Sequence, residues 1–133
     1  MKTELRRFFE DYSKTYDDFD VARMSTYANC PLITVFDGEP TCHTDSTEIE
    51  RFFSKLLEWF REIGHGKASI SNLDVQALGD KSAYANVLWR STRADGSAFL
   101  EWPTAYQLVK LSGDWKILMI VLRYEAAQTT SLS

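Results

Sequence analysis

The sequence contains few of the residues that hold small proteins together through disulfides or metals. Its 133 residues include two cysteines, Cys30 and Cys42, and two histidines, His43 and His65. The cysteines form no Cys-x-x-Cys spacing, and the histidines are the only conceivable co-ligands for a zinc ion. We therefore expect no metal site and two free thiols, although the cysteines could also face each other across a short hairpin.

Long apolar runs are also missing. No run approaches the roughly 20 residues that a membrane helix needs, and residues 1–10 alternate charged with apolar side chains, unlike a signal peptide. The 15 basic residues are outnumbered by 19 acidic ones, so the net charge of −4 argues against a nucleic acid partner. We expect a cytoplasmic protein with neither a membrane nor a nucleic acid partner.

The chain is instead rich in apolar and aromatic side chains. Hydrophobic residues make up 44% and aromatic residues 14% of it, which is enough for a core without covalent cross-links. The last residues are small and polar. The sequence therefore predicts a single domain over residues 1–125 and a frayed C-terminal tail over residues 126–133.

Three stretches have the periodicity of helices. Apolar residues recur at helical spacing over residues 5–19 and again over residues 49–63, with charged side chains between them. A shorter helix is expected over residues 21–28, capped by Asp18 or Asp20. The capping box of the long third helix is formed either by Asp45 with Glu48 or by Thr47 with Glu50.

The remaining stretches are typical of β-strands. Residues 32–36 form a short run of β-forming residues that ends at a turn containing Asp37 and Gly38. Pro103 predicts a bulge or a bend, because proline cannot donate a hydrogen bond to a neighbouring strand. Four long strands separated by tight turns are predicted over residues 68–78, 82–93, 98–111 and 114–125.

The last hairpin, residues 98–124, is apolar on both alternating faces. A sheet of this kind must be covered on both sides, and we expect the helices on one side and a second subunit on the other. Helices followed by an antiparallel meander predict an α+β fold, with a curved sheet wrapped around the long first helix and two further helices.

This arrangement, together with two local motifs, resembles the nuclear transport factor 2-like superfamily. Its members include ketosteroid isomerases, polyketide cyclases of the SnoaL type and scytalone dehydratase. The closing motif has Tyr106 and Leu108, a turn at Gly113, and then Trp115 and Ile117; the second match covers residues 44–53. The resemblance implies a cystatin-like cone, a homodimer formed through the sheet face, and a ligand held between the first helix and the concave sheet.

The resemblance also implies candidate catalytic residues. Tyr12 matches the position of the isomerases' oxyanion-stabilising tyrosine, and Asp37 matches their general-base aspartate approximately. His43 is a further acid–base candidate on the rim, because histidine titrates near neutral pH. Each has a structural alternative, namely a core tyrosine, a solvated turn and a surface histidine. The isomerases' second acid would fall near Tyr106 or Gln107, which makes steroid-type isomerisation doubtful.

Five aromatic residues are candidates for the wall of a ligand pocket: Tyr16, Trp89, Trp102, Tyr106 and Tyr124. We expect an apolar, tyrosine-lined pocket for a small organic molecule, with no cofactor. One version of this function is a cofactor-independent acid–base enzyme of the isomerase, cyclase or dehydratase type, but the sequence does not decide whether the protein is an enzyme. The alternatives are a non-catalytic ligand sensor and a protein-interaction module of the same fold.

Overall fold

The computed structural model describes residues 1–122, in which helices and strands follow the predicted α+β order. The elements are α1 (Lys2–Asp17), α2 (Val21–Ser25), β1 (Ala28–Phe36), β2 (Glu39–His43), α3 (Ser46–Glu62), β3 (Lys67–Ala77), β4 (Ser82–Thr92), β5 (Ala98–Leu111) and β6 (Asp114–Leu122). The predicted tail and Tyr124 lie outside the described residues. None of the helices described is both long and apolar enough to cross a membrane.

The strands form one curved sheet in the order β2-β1-β6-β5-β4-β3. Strands β3 to β6 are an antiparallel meander, as their short connections predict. β1 pairs with β2 in a hairpin and lies parallel to β6, so it joins the first half of the chain to the last. This pairing brings α3, which follows β2, to the same end of the sheet as β6.

The sequence left two alternative caps for each of α2 and α3, and the structure contains one of each pair. The Asp20 side chain accepts a hydrogen bond from the Arg23 amide at 3.1 Å and caps α2. At α3 the cap is Asp45, whose carboxylate accepts from the Glu48 amide at 2.8 Å. Glu48 in turn accepts from the Thr44 amide at 2.7 Å, so the reciprocal bond of the capping box reaches one residue further back than usual.

The second helix is shorter than the sequence predicts. The prediction extends it to Ala28, but it ends at Ser25, and β1 begins at Ala28. The Tyr27 carbonyl accepts a hydrogen bond from the Ile117 amide of β6 at 2.8 Å. Pairing with the sheet therefore takes up the backbone groups that another helical turn would have used.

No register shift accompanies the bend predicted at Pro103. Pro103 pairs with Leu88 between regularly paired neighbours of β4 and β5. Register shifts lie instead between Ser91 and Thr92, where β4 pairs with β5, and between Gln107 and Leu108, where β5 pairs with β6. Neither shift includes Pro103.

Strand pairing assigns side chains to two faces of the sheet. Trp89, Trp102 and Tyr106 share the inner face, where Trp89 pairs with Trp102 and Tyr106 with Ala85. Thr34 joins them from β1, because it pairs with Ile120, which is opposite Tyr106. The outer face carries half-buried apolar side chains, among them Leu88, Val109, Met119 and Val121.

His65 follows α3 between two glycines, and its side chain is buried. The ring makes a short hydrogen bond to Ser91 through Nδ1, and its Nε2 lies 3.2 Å from Asp17 Oδ1. The same Asp17 oxygen accepts a hydrogen bond from the Ala68 amide at 2.7 Å. The Asp17–His65–Ser91 chain therefore ties the end of α1 to β3, β4 and the segment after α3.

Cys30 and Cys42 are both free and exposed. They do not face each other across the β1–β2 hairpin, because Cys42 pairs with Ile33. The Cys30 thiol lies 3.5 Å from the Thr44 carbonyl instead.

Candidate functional site

A cavity of about 530 Å³ lies between α3, the β1–β2 hairpin and the ends of β5 and β6. This volume is ordinary for a small-molecule site. Most of its lining is apolar and aromatic, and its polar residues are two threonines, a histidine and a lysine. The lining residues are Thr34, Phe36, Thr41, His43, Phe52, Lys55, Leu56, Trp59, Phe60, Leu100, Trp102, Pro103 and Leu122.

The cavity does not lie where the family resemblance predicts it. The resemblance implies a pocket against α1, but no residue of α1 lines the cavity. The space there is filled by aromatic packing, in which the rings of Phe9 and Tyr106 are 4.7 Å apart and those of Tyr12 and Trp89 are 6.3 Å apart. Side chains of this size fill the space between this part of α1 and strands β4 and β5.

His43 is the acid–base candidate that the structure places in the cavity. It is at the end of β2, opposite Leu32 of β1. Its Nε2 is 3.0 Å from Thr34 Oγ1, and the tautomer determines which of the two donates. The imidazole also packs against Phe52 of α3, with ring centres 5.2 Å apart. A hydroxyl and an aromatic ring thus orient the imidazole towards an apolar space.

The N-terminus of α3 holds the segment after His43 in place. Glu48 accepts hydrogen bonds from both the amide and the hydroxyl of Thr44, at 2.7 and 2.9 Å. These two bonds, with a smaller contribution from the nearby His43, lower the pKa of Glu48 below its usual value. Glu48 is thus a structural carboxylate beside the cavity, while the lining itself contains no Asp or Glu among the described residues.

Asp37 lies outside the cavity lining. It occupies the β1–β2 turn with a φ of 52° and is exposed to solvent. Its neighbour Phe36 lines the cavity, so the predicted base is at the rim and not at the floor. Tyr124, predicted as a ligand contact, lies beyond the described residues.

Tyr12, Tyr16 and Tyr106 form a buried cluster instead of lining the cavity. All three are at most 2% exposed. Tyr106 accepts a hydrogen bond from the Trp89 indole at 3.0 Å, whereas the buried Tyr12 hydroxyl has no hydrogen-bond partner among the described residues. Burial raises the pKa of each phenol above its ordinary value, most strongly for Tyr12 and Tyr106. They therefore stay protonated at neutral pH and can act only as donors or neutral acceptors.

A pair of aromatic rings separates this cluster from the cavity. Phe60 and Trp102 both line the cavity, with ring centres 4.8 Å apart. The Tyr16 ring lies 5.0 Å from Phe60 and 6.0 Å from Trp102. Of the predicted site residues, His43 and Trp102 therefore reach the cavity, while Tyr12, Tyr16, Trp89 and Tyr106 are packed away from it.

Sequence reasoning missed the contribution of α3. Phe52, Lys55, Leu56 and Trp59 follow each other at helical spacing and all face the cavity. The periodicity predicts a core stripe for the apolar members and gives no reason to single out Lys55. Thr34 also has no signal in the sequence, because its position depends on the pairing of β1 with β6.

No group of three or more His, Cys, Asp or Glu side chains among residues 1–122 could hold a metal ion.

The tyrosine cluster leads to a prediction about stability. Tyr106→Phe should lower the free energy of unfolding by about 1–3 kcal/mol, because it removes the acceptor of the buried Trp89 indole. The matched variant Tyr12→Phe removes a hydroxyl without a partner among the described residues and should be neutral or stabilising. Urea unfolding of both variants measures the difference. Equal destabilisation by the two substitutions would contradict this account of the Tyr12 hydroxyl.

Solved structures with the same fold come from several bacteria. Aln2 from a Streptomyces species is 16% identical, with a TM-score of 0.73 over 98% of this chain and 94% of that chain. A cystatin-like protein of unknown function from Nostoc punctiforme is 12% identical, with a TM-score of 0.72 over 91% and 88%. An NTF-2 like protein of unknown function from Shewanella oneidensis is 14% identical, with a TM-score of 0.71 over 91% and 98%.

At these identities the likeness establishes the fold, and it confirms the cystatin-like α+β architecture expected from the sequence. No curated protein matches the chain. The family model described as NTF2-like protein (DUF6841) matches residues 3–125, which is most of the chain. The protein therefore belongs to this NTF2-like family.

Proposed function

We propose that this protein binds a small, largely apolar organic molecule in the cavity beside α3. The supporting observation is the cavity itself, about 530 Å³ in volume and lined mainly by aromatic and aliphatic side chains with a few polar groups. Sites of this composition bind ligands by burying apolar surface and orient them through the polar groups. A protein-interaction module, the alternative use of the fold, needs no such cavity.

Filling the cavity should abolish binding. Leu100→Trp adds bulk to a wall residue and should weaken the binding of neutral N-phenylnaphthylamine at least tenfold. Leu78→Trp adds the same ring at an exposed position, 48% accessible and outside the lining, and should bind the probe as the unaltered protein does. Fluorescence titration measures both. If the two variants bind equally well, the probe does not occupy this cavity.

We further propose that His43 can transfer a proton in this cavity. This version depends on the contact between the imidazole and Thr34 at 3.0 Å, within an apolar lining. The imidazole would take a proton from a carbon next to a ligand carbonyl and return it. Thr34, Thr41 and Lys55 are the lining groups that could stabilise the enolate oxygen. Tyr12 and Tyr16 are behind Phe60 and Trp102 and do not take this role.

Hydrogen–deuterium exchange tests proton transfer. In deuterated buffer, NMR should detect exchange next to the carbonyl in a panel of apolar cyclic ketones. His43→Gln should slow this exchange about 10²-fold or more, the usual contribution of a general acid–base group, and leave N-phenylnaphthylamine binding unchanged. Exchange that continues at the original rate in His43→Gln, or that never exceeds the buffer rate, argues for a non-catalytic ligand sensor.

We also propose that two copies associate through the outer face of the sheet. The rings of α1 and α3 pack on the inner face, while the half-buried apolar side chains of β4, β5 and β6 face outward. Apolar side chains on an exposed sheet face are typical of protein interfaces.

Light scattering at micromolar concentration should give about twice the 15.3 kDa mass of one chain. The double variant Val109→Glu with Met119→Glu should be monomeric, because it places charges on this face, whereas Ser54→Glu, at an exposed position of α3, should stay dimeric. A single-chain mass for the unaltered protein would refute the dimer.

A further inference from the structure

Lys55 lines the cavity from an exposed position of α3, at the border of the apolar side of the helix. Three other residues of α3 line the cavity with Lys55. They are Phe52, three residues before it, Leu56, one residue after it, and Trp59, four residues after it. Its side chain is exposed, as is usual for a lysine on an amphipathic helix, and it also borders the cavity. This lysine is therefore part of the ligand-facing surface.

Lys55 also has no counterion among the described residues. It forms no ion pair with any of them, and none of the described residues lining the cavity is acidic. Other cations of this acidic chain do have carboxylate partners, such as Lys110 with Glu4 at 3.2 Å and Arg90 with Glu101 at 2.8 Å. A cation that borders an apolar cavity and has no ion pair favours a ligand that supplies the negative charge.

We infer that the ligand is an organic anion, with an apolar or aromatic body and one acidic group such as a carboxylate or sulfonate. The body occupies the space between Phe60, Trp102 and Leu100, and the acidic group pairs with Lys55 at the α3 side of the cavity. His43, the other nitrogen-bearing side chain of the lining that can carry a charge, adds a second donor when it is protonated. This inference rests on the proposed binding function and adds a charge class to it.

Two dyes with the same aromatic skeleton separate the two proposals. Anilinonaphthalene sulfonate carries one negative charge, and N-phenylnaphthylamine is its neutral counterpart. Lys55→Gln should weaken binding of the sulfonate about three- to tenfold, the range expected for a partly exposed ion pair, and should weaken binding of the neutral dye less than twofold. Lys55→Arg, which retains the charge, should restore sulfonate binding.

Lys81→Gln is the matched control, because Lys81 is an exposed lysine in the β3–β4 turn, outside the cavity lining. It should leave the affinities of both dyes unchanged. Raising the salt concentration should weaken sulfonate binding to the unaltered protein and reduce the difference from Lys55→Gln, because salt screens partly exposed charges.

The outcomes are distinct. If the neutral dye binds and is blocked by Leu100→Trp, but Lys55→Gln leaves sulfonate binding unchanged, the anion inference is wrong and the binding function stands. If Lys55→Gln and Lys81→Gln weaken sulfonate binding equally, the effect is one of net charge and the inference is also wrong. If neither dye responds to Leu100→Trp, the binding function itself fails.

Discussion

Packing of the aromatic stripe of α1 against the inner face of β4 and β5 is the interaction on which the rest of the structure depends. Phe9, Tyr12 and Tyr16 contact Trp89 through ring centres 5.9–6.3 Å apart. Because protein interiors pack about as densely as organic crystals, these rings fill the space between α1 and the sheet. The cavity of about 530 Å³ lies beside them, where α3 bounds it.

The position of α3 is in turn fixed at its C-terminal end. Gly66 donates from its amide to the Thr92 carbonyl at 2.8 Å, and a Cβ at Gly66 would approach that oxygen to 2.7 Å, so glycine is needed for this close approach. The buried His65 ring, bonded to Asp17 and Ser91, packs 5.5 Å from Phe60. The same contacts that hold the chain to β4 therefore also place Phe60 between the cavity and the tyrosine cluster.

Local signals in the sequence predicted the local features of the fold. The Asp45 cap, the helical periodicity of α1 and α3, and the tight turn at Gly113 each depend on neighbouring residues alone, and each is present. Features that depend on pairing distant segments could not be predicted in this way. The register shift between Gln107 and Leu108 has no sequence marker, and the burial of His65 depends on residues from three other segments.

The site residues could be predicted only in part for the same reason. Whether an inward side chain such as Tyr16 lines the cavity or is buried in the core depends on which distant residues pack next to it. Phe60 and Trp102 pack between Tyr16 and the cavity. Lys55 could not be predicted as a cavity residue, because a lysine on an amphipathic helix is usually solvated.

The composition of the cavity limits the chemistry that the protein can perform. The described lining has no carboxylate, and Tyr12, Tyr16 and Tyr106 do not line it, so a mechanism in which an aspartate base works opposite a tyrosine does not fit these residues. An imidazole held by Thr34, with a lysine on the neighbouring helix, is a different arrangement. Under the proposed function, the positive charge of Lys55 favours both an acidic ligand and an enolate oxygen, so the two roles require the same donor. The proposed binding and the proposed catalysis would then differ in whether the ligand carries a proton that the neutral His43 imidazole can remove.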